Sequence, residues 1–357
     1  MLLPCASGAV FKEQIVAGDL KGGYQVIAAD VNHDGKPDLI AVASGQTDLV
    51  WFENPGWQAH VIARNLKGMI NAAYWNDQLA LASEFSNYPK KSVGVVSLLT
   101  PNSDPRQLWN VREIDRLTTS HRLRWADIDG NGKKVLVNVP LAGANAKPPD
   151  YHDHVPLVFY RAPQWKRETI SRANEGVQHG VFITHWDGDS SDDILTASFS
   201  GIDLYRRESK EQWKRTEIAR GDPAPCPKCG SSDIAVGYLN NERFLAGIEP
   251  WHGNEVAVYR HGDSGWQRQV IDRDLNQGHT IVVADLNGDG RSEIIAGYRG
   301  NGGSVVMYQY NAAGAWDKSI LDSHIPANAC LVADLDGDRR SDIACIGGPL
   351  LKWYRNQ

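Results

Sequence analysis

Short apolar runs of strand length alternate with polar turns along the whole chain, and helical periodicity is almost absent. One such run has an aromatic or polar start, a basic or polar residue, an aliphatic centre and a short polar tail. It occurs seven times, as FKEQIVAGD (11–19), QAHVIARN (58–65), NVREIDRL (110–117), WKRETISR (165–172), WKRTEIAR (213–220), WQRQVIDR (266–273) and WDKSILDS (316–323).

Two further patterns accompany this run. A strand with aromatic or apolar pairs has seven copies: DLVWFEN (48–54), VGVVSLL (93–99), VPLVFYR (155–161), GIDLYRR (201–207), EVAVYRH (255–261), SVVMYQY (304–310) and LLKWYRN (350–356). An apolar strand, an acidic turn and a second apolar strand are clearest in 26–44, 281–298 and 330–347. Each unit thus contains four strands in roughly 45 to 60 residues, which predicts propeller blades.

The two ends of the sequence predict how the ring closes. The last unit stops after its third strand, at LLKWYRNQ, and residues 11–17 have the pattern of the missing fourth strand. Pairing the two removes an exposed sheet edge. We therefore predict an all-β fold, a single seven-bladed β-propeller over residues 1–357, with blades that start near residues 24, 69, 121, 179, 233, 279 and 328.

Composition narrows the function. The 357 residues carry a net charge of −6, which gives no basic field for nucleic acid. No apolar run approaches the roughly 18 residues of a membrane helix, so we expect no membrane span, and we expect a monomer. The start, MLLPCASGAV, is interpreted as the stub of a trimmed leader, with a frayed terminus as the alternative. Five cysteines are an odd number and do not decide the redox compartment.

The acidic turns predict calcium sites. Short acids at alternating positions, a glycine and a closing acid are the ligands that a hard cation requires, although hydrogen-bonded Asx turns would have the same sequence. In the third of these loops Arg339 replaces the glycine, so we expect a strained turn and weaker binding. The predicted ligands are Asp30, Asn32, Asp34 and Asp38; Asp285, Asn287, Asp289 and Glu293; and Asp334, Asp336, Asp338 and Asp342.

Two related loops are degraded and are expected to hold no cation. Val135 stands where the loop of Asp127 and Asp129 should have its closing acid. His185 replaces the first acid of the loop that contains Asp187.

With these loops, the chain resembles the FG-GAP or VCBS class of calcium-loop propellers over essentially its whole length. The WFEN and HVI segments are similar to the propellers of aldos-2-ulose dehydratase and of polysaccharide lyases of the rhamnose–glucuronate lyase type. That resemblance implies a histidine, and often a divalent metal, in the central funnel. Only the loop residues match closely enough to be carried over by position. The architecture itself supports both enzymes and adhesion modules.

One position per blade, six residues before the first loop acid, should surround the mouth of the central channel. The ring of these positions is Tyr24, roughly Met69, His121, His179, roughly Asp233, His279 and Asn328. Three histidines among seven equivalent positions, in a chain with eleven, favour a functional ring, although any single histidine is more often structural. Loops on the same face should add Glu249, Trp251, His252, Arg299, Tyr151, His152 and His154.

These residue types suit a sugar-acid site. Arg299 would bind a carboxylate, Trp251 would stack on a pyranose, and the histidines would transfer protons. The hypothesis is a carbon–oxygen lyase or dehydratase acting by β-elimination, with His179, His121, His279 and Arg299 as the catalytic set. Tyr24, Asp233, Glu249, Trp251, His252, Tyr151 and His154 would bind the substrate.

The sequence leaves several alternatives open for the funnel metal, the class of function and the cysteines. A divalent metal (zinc, calcium or magnesium) could polarise the substrate, or Arg299 could act without one. A non-enzymatic calcium propeller that recognises glycans or proteins is the competing class, and a glycosidase ranks third because only Glu249 and Asp233 offer carboxylates. Cys226 and Cys229 could form a disulfide, two free thiols or half a zinc site, and we favour a loop staple if the protein is exported. Calcium loops favour the periplasm or exterior, while tightly bound calcium is also compatible with the cytoplasm.

Overall fold

The structure is a computed structural model that describes residues 9–357. The leader interpretation and Cys5 lie outside the described residues. Seven four-stranded antiparallel sheets surround a central axis, and the first strand of each contacts the first strands of its neighbours. The predicted all-β, seven-bladed propeller is therefore confirmed. Within 9–357 no helix is long and apolar enough to cross a membrane, and the short 3-10 helix Pro89–Lys91 is the helical element there.

The strands are numbered in chain order and grouped by blade from the axis outward. They are β2 (Gly23–Ala29), β3 (Asp38–Ala43), β4 (Leu49–Glu53), β5 (Gln58–Ala63); β6 (Asn71–Trp75), β7 (Gln78–Ser83), β8 (Val95–Thr100), β9 (Asn110–Arg116); β10 (Ser120–Ala126), β11 (Val135–Pro140), β12 (His154–Arg161), β13 (Lys166–Glu175); β14 (Gln178–Thr184), β15 (Asp193–Ser198), β16 (Gly201–Arg207), β17 (Trp213–Ala219); β18 (Asp233–Leu239), β19 (Glu242–Glu249), β20 (Glu255–Gly262), β21 (Gly265–Asp272); β22 (Gly278–Ala284), β23 (Glu293–Tyr298), β24 (Ser304–Tyr310), β25 (Trp316–Asp322); and β26 (Ala329–Ala333), β27 (Asp342–Gly347), β28 (Leu350–Asn356), β1 (Phe11–Ala17).

The seventh blade is built from both ends of the chain. Strand β1 pairs antiparallel with β28, with Phe11 opposite Asn356 and Gln14 opposite Trp353. The sheet order is β1-β28-β27-β26. The prediction that residues 11–17 complete the last blade is thus confirmed, and β28 has a partner along both of its edges.

The core lies between adjacent blades. The second strand of each blade is covered by a neighbouring sheet on both faces, which is why it is a continuous apolar run. Strand β3 is buried along its whole length, whereas most of β1 and β9, at the outer rim, is exposed. One core cluster packs Ile40 and Trp51 of the first blade against Leu79 and Leu81 of the second. Each blade is therefore stabilised by its neighbours as well as by its own hydrogen bonds.

Polar clamps also join neighbouring blades. In each clamp, an aspartate from the outer strand of one blade accepts bonds from a buried tyrosine and a cation of the next blade. Asp322 of β25, for example, accepts from the Tyr354 hydroxyl and the Lys352 ammonium of β28, both at 2.6 Å. The other two are Asp115 with Tyr160 and Arg167, and Asp272 with Tyr308 and Lys318.

Two disulfides are present among the described residues. Cys226 and Cys229 are bonded within the inserted loop before β18, the staple that the sequence favoured. Cys330 and Cys345 are bonded across β26 and β27, where they are paired directly. This second bond was not predicted, because it depends on the strand register.

Candidate functional site

The innermost strands of four blades bring four aromatic side chains together, and each does so through the same irregularity of the backbone. In β2, β10, β14 and β22 one extra residue interrupts the pairing with the second strand, which makes a β-bulge. A bulge re-aims the side chain of the inserted residue. The inserted residues are Tyr24, His121, His179 and His279.

Gly180 allows this arrangement at the fourth blade. A Cβ there would lie 2.9 Å from both the Ala197 Cβ and the Asp233 Cα. Only glycine therefore fits behind His179 while the fifth blade stays in place.

A chain of hydrogen bonds links the funnel loops to this ring. Arg299 donates to His252 Nδ1 at 3.1 Å, and His252 Nε2 lies 3.2 Å from His179 Nε2. His179 Nδ1 lies 2.9 Å from the Ser232 carbonyl oxygen, to which it can only donate. These contacts fix one set of tautomers: His252 carries its proton on Nε2 and donates it to the lone pair of His179 Nε2.

Tyr24 joins the other two ring histidines. His279 donates from Nδ1 to the Asn328 carbonyl oxygen at 2.6 Å, which leaves a lone pair on its Nε2. The Tyr24 hydroxyl lies 3.2 Å from that nitrogen and 3.0 Å from His121 Nε2. The hydroxyl therefore donates to His279 and accepts from His121, and His121 Nδ1 is buried with no hydrogen-bond partner among residues 9–357.

Burial keeps these imidazoles neutral. Burial, and then the positive charge of Arg122, hold the pKa of His179 well below its usual range. Burial and Arg299 do the same to the pKa of His252. His121 and His279 also have lowered pKa values, first from burial. A neutral imidazole can accept a proton, whereas it cannot act as a strong acid.

The hydrogen bonds described above engage the histidine nitrogens that a divalent cation in the funnel would bind. Nitrogen atoms of His179, His252 and His279 lie within 4.8 Å of one another, close enough for a shared ion. The hydrogen bond from Arg299, however, places the His252 proton on Nε2, the atom that faces the other two rings. The Arg122 and Arg299 guanidiniums also add positive charge to the site. No step proposed below uses a metal here.

Several predicted residues lie elsewhere, and the expectation for Glu249 is corrected. Glu249 is fully buried, accepting from the Tyr259 hydroxyl and from Arg268 at 2.7 Å, so it braces its blade instead of facing the funnel. His154 is exposed at the start of β12, opposite Glu175 of β13, and the exposed His152 lies 3.5 Å from the Glu175 carboxylate.

Two predicted aromatic residues form a wall beside the ring. Trp251 packs on His252 with ring centroids 4.6 Å apart, and Tyr151 packs on Trp251 at 5.5 Å. Both belong to an apolar cluster with Phe199. Tyr151 itself is buried, with its hydroxyl on the Asn87 carbonyl oxygen, so it supports the wall and Trp251 is the more exposed of the two.

Met69 does not reach the ring. It is fully buried in the core between the first two blades. The second blade instead places Asn71 at the start of its first strand.

The sequence reasoning missed Arg122 and Arg124. They follow His121 on β10 and line a central cavity of about 650 Å³ together with Asp233, His279 and Asn328. Reading β10 past its first residues with the two-residue period of a strand would have found them. The site is therefore richer in positive charge than the sequence analysis assumed.

The acidic loops are closed by hydrogen bonds to the backbone. Asp30 accepts from the amides of Asp34 at 3.1 Å and Gly35 at 3.0 Å, and the closing acid Asp38 accepts from the Val31 amide at 3.0 Å. The loops that begin at Asp285 and Asp334 repeat the closing bond, with Glu293 and Asp342 as acceptors. The turn is thus held by bonds that need no cation.

The loops differ in their surroundings. In the degraded loops Arg161 and Arg207 contact Asp129, and Arg206 contacts Asp187 at 2.7 Å. These guanidiniums supply the positive charge that a bound cation would supply. Among the predicted calcium loops, the loop of Asp334 has contacts of the same kind, from Arg340 to Asp338 and from Arg355 to Asp336. Arg339 has a φ of 71°, the left-handed conformation that the missing glycine would adopt without strain.

Comparisons with known proteins agree with this architecture. The models described as FG-GAP repeat and FG-GAP-like repeat match residues 22–56 and 285–345. The chain carries FG-GAP repeats. A model described as aldos-2-ulose dehydratase, beta-propeller domain, matches residues 93–262 of this FG-GAP propeller. That segment includes His121, His179 and His252. The predicted resemblance to FG-GAP repeats and to the propeller of aldos-2-ulose dehydratase is confirmed.

Individual relatives are distant. Aldos-2-ulose dehydratase of Phanerodontia chrysosporium is 25% identical over an alignment of 259 residues. The alignment covers 64% of this chain and 28% of that enzyme. The FG-GAP propeller thus spans little more than a quarter of the length of this curated relative. The crystal structure of Saccharomyces cerevisiae Sqt1 superposes with a TM-score of 0.60 at 10% identity, covering 99% of both chains. This second likeness concerns the fold alone.

Proposed function

We propose that the FG-GAP propeller is a carbon–oxygen lyase or dehydratase that acts by β-elimination on a uronic-acid or keto-sugar substrate. The observation that carries the proposal is the contact between Arg299 and His252, in which a partly buried guanidinium donates to the lone pair of a neutral imidazole. The partial similarity to aldos-2-ulose dehydratase supports a carbohydrate substrate.

Substrate binding would release the base. A carboxylate or carbonyl oxygen that takes the Arg299 hydrogen bonds withdraws the donor from His252 Nδ1 and frees its lone pair. The charge of Arg299 is, after burial, the first cause that holds the pKa of His252 down. An anionic group on Arg299 therefore raises that pKa and makes His252 a better base when substrate is present.

The protons and electrons of the elimination are all accounted for without a cofactor. His252 removes the proton from the carbon next to the acidifying group, the electron pair of that bond forms the carbon–carbon double bond, and the β carbon–oxygen bond breaks. The leaving oxygen takes a proton from solvent. His179 acts behind His252: its Nε2 lone pair accepts the His252 Nε2–H bond, which strengthens as the imidazolium forms. Because His179 is only 1% exposed and His252 is partly exposed, His252 meets the substrate.

The test is near-ultraviolet absorbance, which rises when a conjugated double bond forms. Uronic-acid polysaccharides, glycosides and keto sugars are each mixed with the wild type and with His252→Ala, His179→Ala and the control His261→Ala, an exposed histidine of β20. We expect a rise with at least one substrate, a loss of orders of magnitude in both site variants, and no change in the control. Saturable binding of a glycan with no absorbance change in the wild type would favour the recognition propeller instead.

A further inference from the structure

The central channel contains two arginines that face the same way. Arg122 and Arg124 are two residues apart on β10, and both line the cavity of about 650 Å³. Arg122 is 6% exposed and its Nε donates to the His179 carbonyl oxygen at 3.2 Å. Arg124 donates to the Leu123 carbonyl oxygen at 2.8 Å. Two guanidiniums on one face repel each other unless a negative charge lies between them.

No such charge pairs with them in the described part of the chain. Within residues 9–357 the hydrogen-bond partners of both guanidiniums are neutral oxygens, and the Asp233 carboxylate acts on the two arginines through its charge without forming an ion pair with either. Asp233 is the acid among the lining residues, and Arg122, Arg124 and Lys134 are the cations. The Asp233 carboxylate accepts from the backbone amides of Ile234 at 3.1 Å and Ile281 at 3.3 Å. The cavity therefore has a surplus of positive charge.

Such a surplus is unfavourable unless a ligand compensates it. A buried charge without a partner destabilises the folded protein. Burial lowers the pKa of Arg124 to about 10, with a further contribution from Arg122, which reflects the same unfavourable environment. A protein surface that keeps two such groups in a cavity is preorganised for an anion.

The other polar groups of the cavity are already engaged. Gln25 exchanges two bonds with the backbone of Ala72, Thr280 accepts from the Cys330 amide, and Asn328 donates to the Gly23 carbonyl oxygen. The two guanidiniums and the Lys134 ammonium are thus the donors with capacity left. A cavity of this volume accommodates a small ion or one sugar ring.

We propose that the channel binds an oxyanion at Arg122 and Arg124. The oxyanion is either a free inorganic ion or the acidic group of a sugar. Arg299 and His252 do not line this cavity, but they adjoin it, because Arg299 contacts Asn328 and His252 packs against His279, both of which line it. The binding proposal does not depend on the proposed elimination.

The experiment measures binding and not turnover. Inorganic phosphate and, separately, glucuronate are titrated into the full chain at constant ionic strength, with calorimetry and thermal melting as readouts. The variants are wild type, Arg124→Gln, Arg124→Met and the control Arg112→Gln, an exposed arginine of β9. A ligand specific to the folded state raises the melting temperature with its concentration.

We expect saturable binding near one equivalent, at least tenfold weaker in both Arg124 variants and unchanged in the control. Phosphate binding would identify a free-oxyanion site, and binding of glucuronate alone would identify a sugar-acid site; either supports the proposal. Without ligand, both Arg124 variants should melt at or above the wild-type temperature, since an unpaired charge has been removed. The proposal is overturned if neither anion binds the wild type saturably, or if Arg124→Gln binds as tightly as wild type. Lyase activity can be absent in either case.

Discussion

Replacing Asp322 by asparagine tests whether the polar clamps stabilise the ring. Asp322 and Lys352 pair at 2.6 Å with side chains that are 1% and 5% exposed. Asparagine keeps the shape but removes the charge, which leaves the ammonium with Glu13 at 2.9 Å as its remaining ionic partner. Removing one member of a buried ion pair costs about 3–5 kcal/mol. Because Glu13 stays in place, we expect the lower end, about 3 kcal/mol of unfolding free energy.

A second variant separates the hydroxyl from the ion pair. Tyr354→Phe removes one hydrogen bond to a charged acceptor and leaves the ion pair intact, so the loss should be about 2 kcal/mol. Urea unfolding with linear extrapolation measures both values. Glu113→Gln serves as the control, because its pair with Arg116 is exposed and should contribute nothing measurable.

The pH dependence gives an independent check. Burial raises the pKa of Asp322, but the bonds from Lys352 and Tyr354 outweigh it and hold the pKa below its usual range. A lowered pKa in the folded state means that the contribution is present above about pH 4 and is lost as pH falls through the folded value. Wild type should therefore lose stability more steeply than Asp322→Asn in acid. The reasoning is refuted if Asp322→Asn stays within about 1 kcal/mol of wild type at pH 7, or if both proteins have the same acid slope.

Three further outcomes are expected. In calorimetric titration with calcium, Asp30→Asn should lose one binding event. Asp129→Asn should leave the isotherm unchanged, because the Asp129 carboxylate is already paired with arginine. Equal effects of the two substitutions would contradict the difference between these two loops. Gly180→Ala forces a Cβ into contacts of 2.9 Å, so urea unfolding should report a loss of about 1–3 kcal/mol, and a neutral result would show that the bulge has room. Replacing Cys330 and Cys345 together by alanine opens a loop of 15 residues, and melting curves should report a loss of about 3 kcal/mol that reducing agent reproduces in wild type but not in the variant.

The features that repeat along the chain could be predicted from the sequence, whereas the features that depend on contacts between strands could not. The blades, the closing strand and the positions of His121, His179 and His279 follow from periodicity, which is a local property of the chain. The bulges were not visible, because they are a mismatch between two strands. Counting six residues back from the loop acids nevertheless found the inserted residues.

The predicted site residues that proved wrong were those whose side-chain direction depends on contacts with other strands. Glu249 was assigned to the funnel from its loop, yet its carboxylate turns to Tyr259 and Arg268, contacts that depend on strand register. Arg122 lies one residue beyond the position per blade that the loop acids predict, so the repeat pattern does not single it out. The roles of His252 and His179 likewise depend on the tautomers that Arg299 and Ser232 impose, and no spacing in the sequence encodes those.

The bulges also bear on how this ring can diversify. An inserted residue has no partner across the strand pair, so its side chain can change without disturbing the ladder on either side. Tyrosine and histidine already occupy equivalent positions in different blades, at Tyr24 and His179. The axis of the propeller thus combines a constant backbone frame with side chains that can differ from blade to blade, and a substitution there changes the hydrogen bonds of the ring without changing the strand pairing.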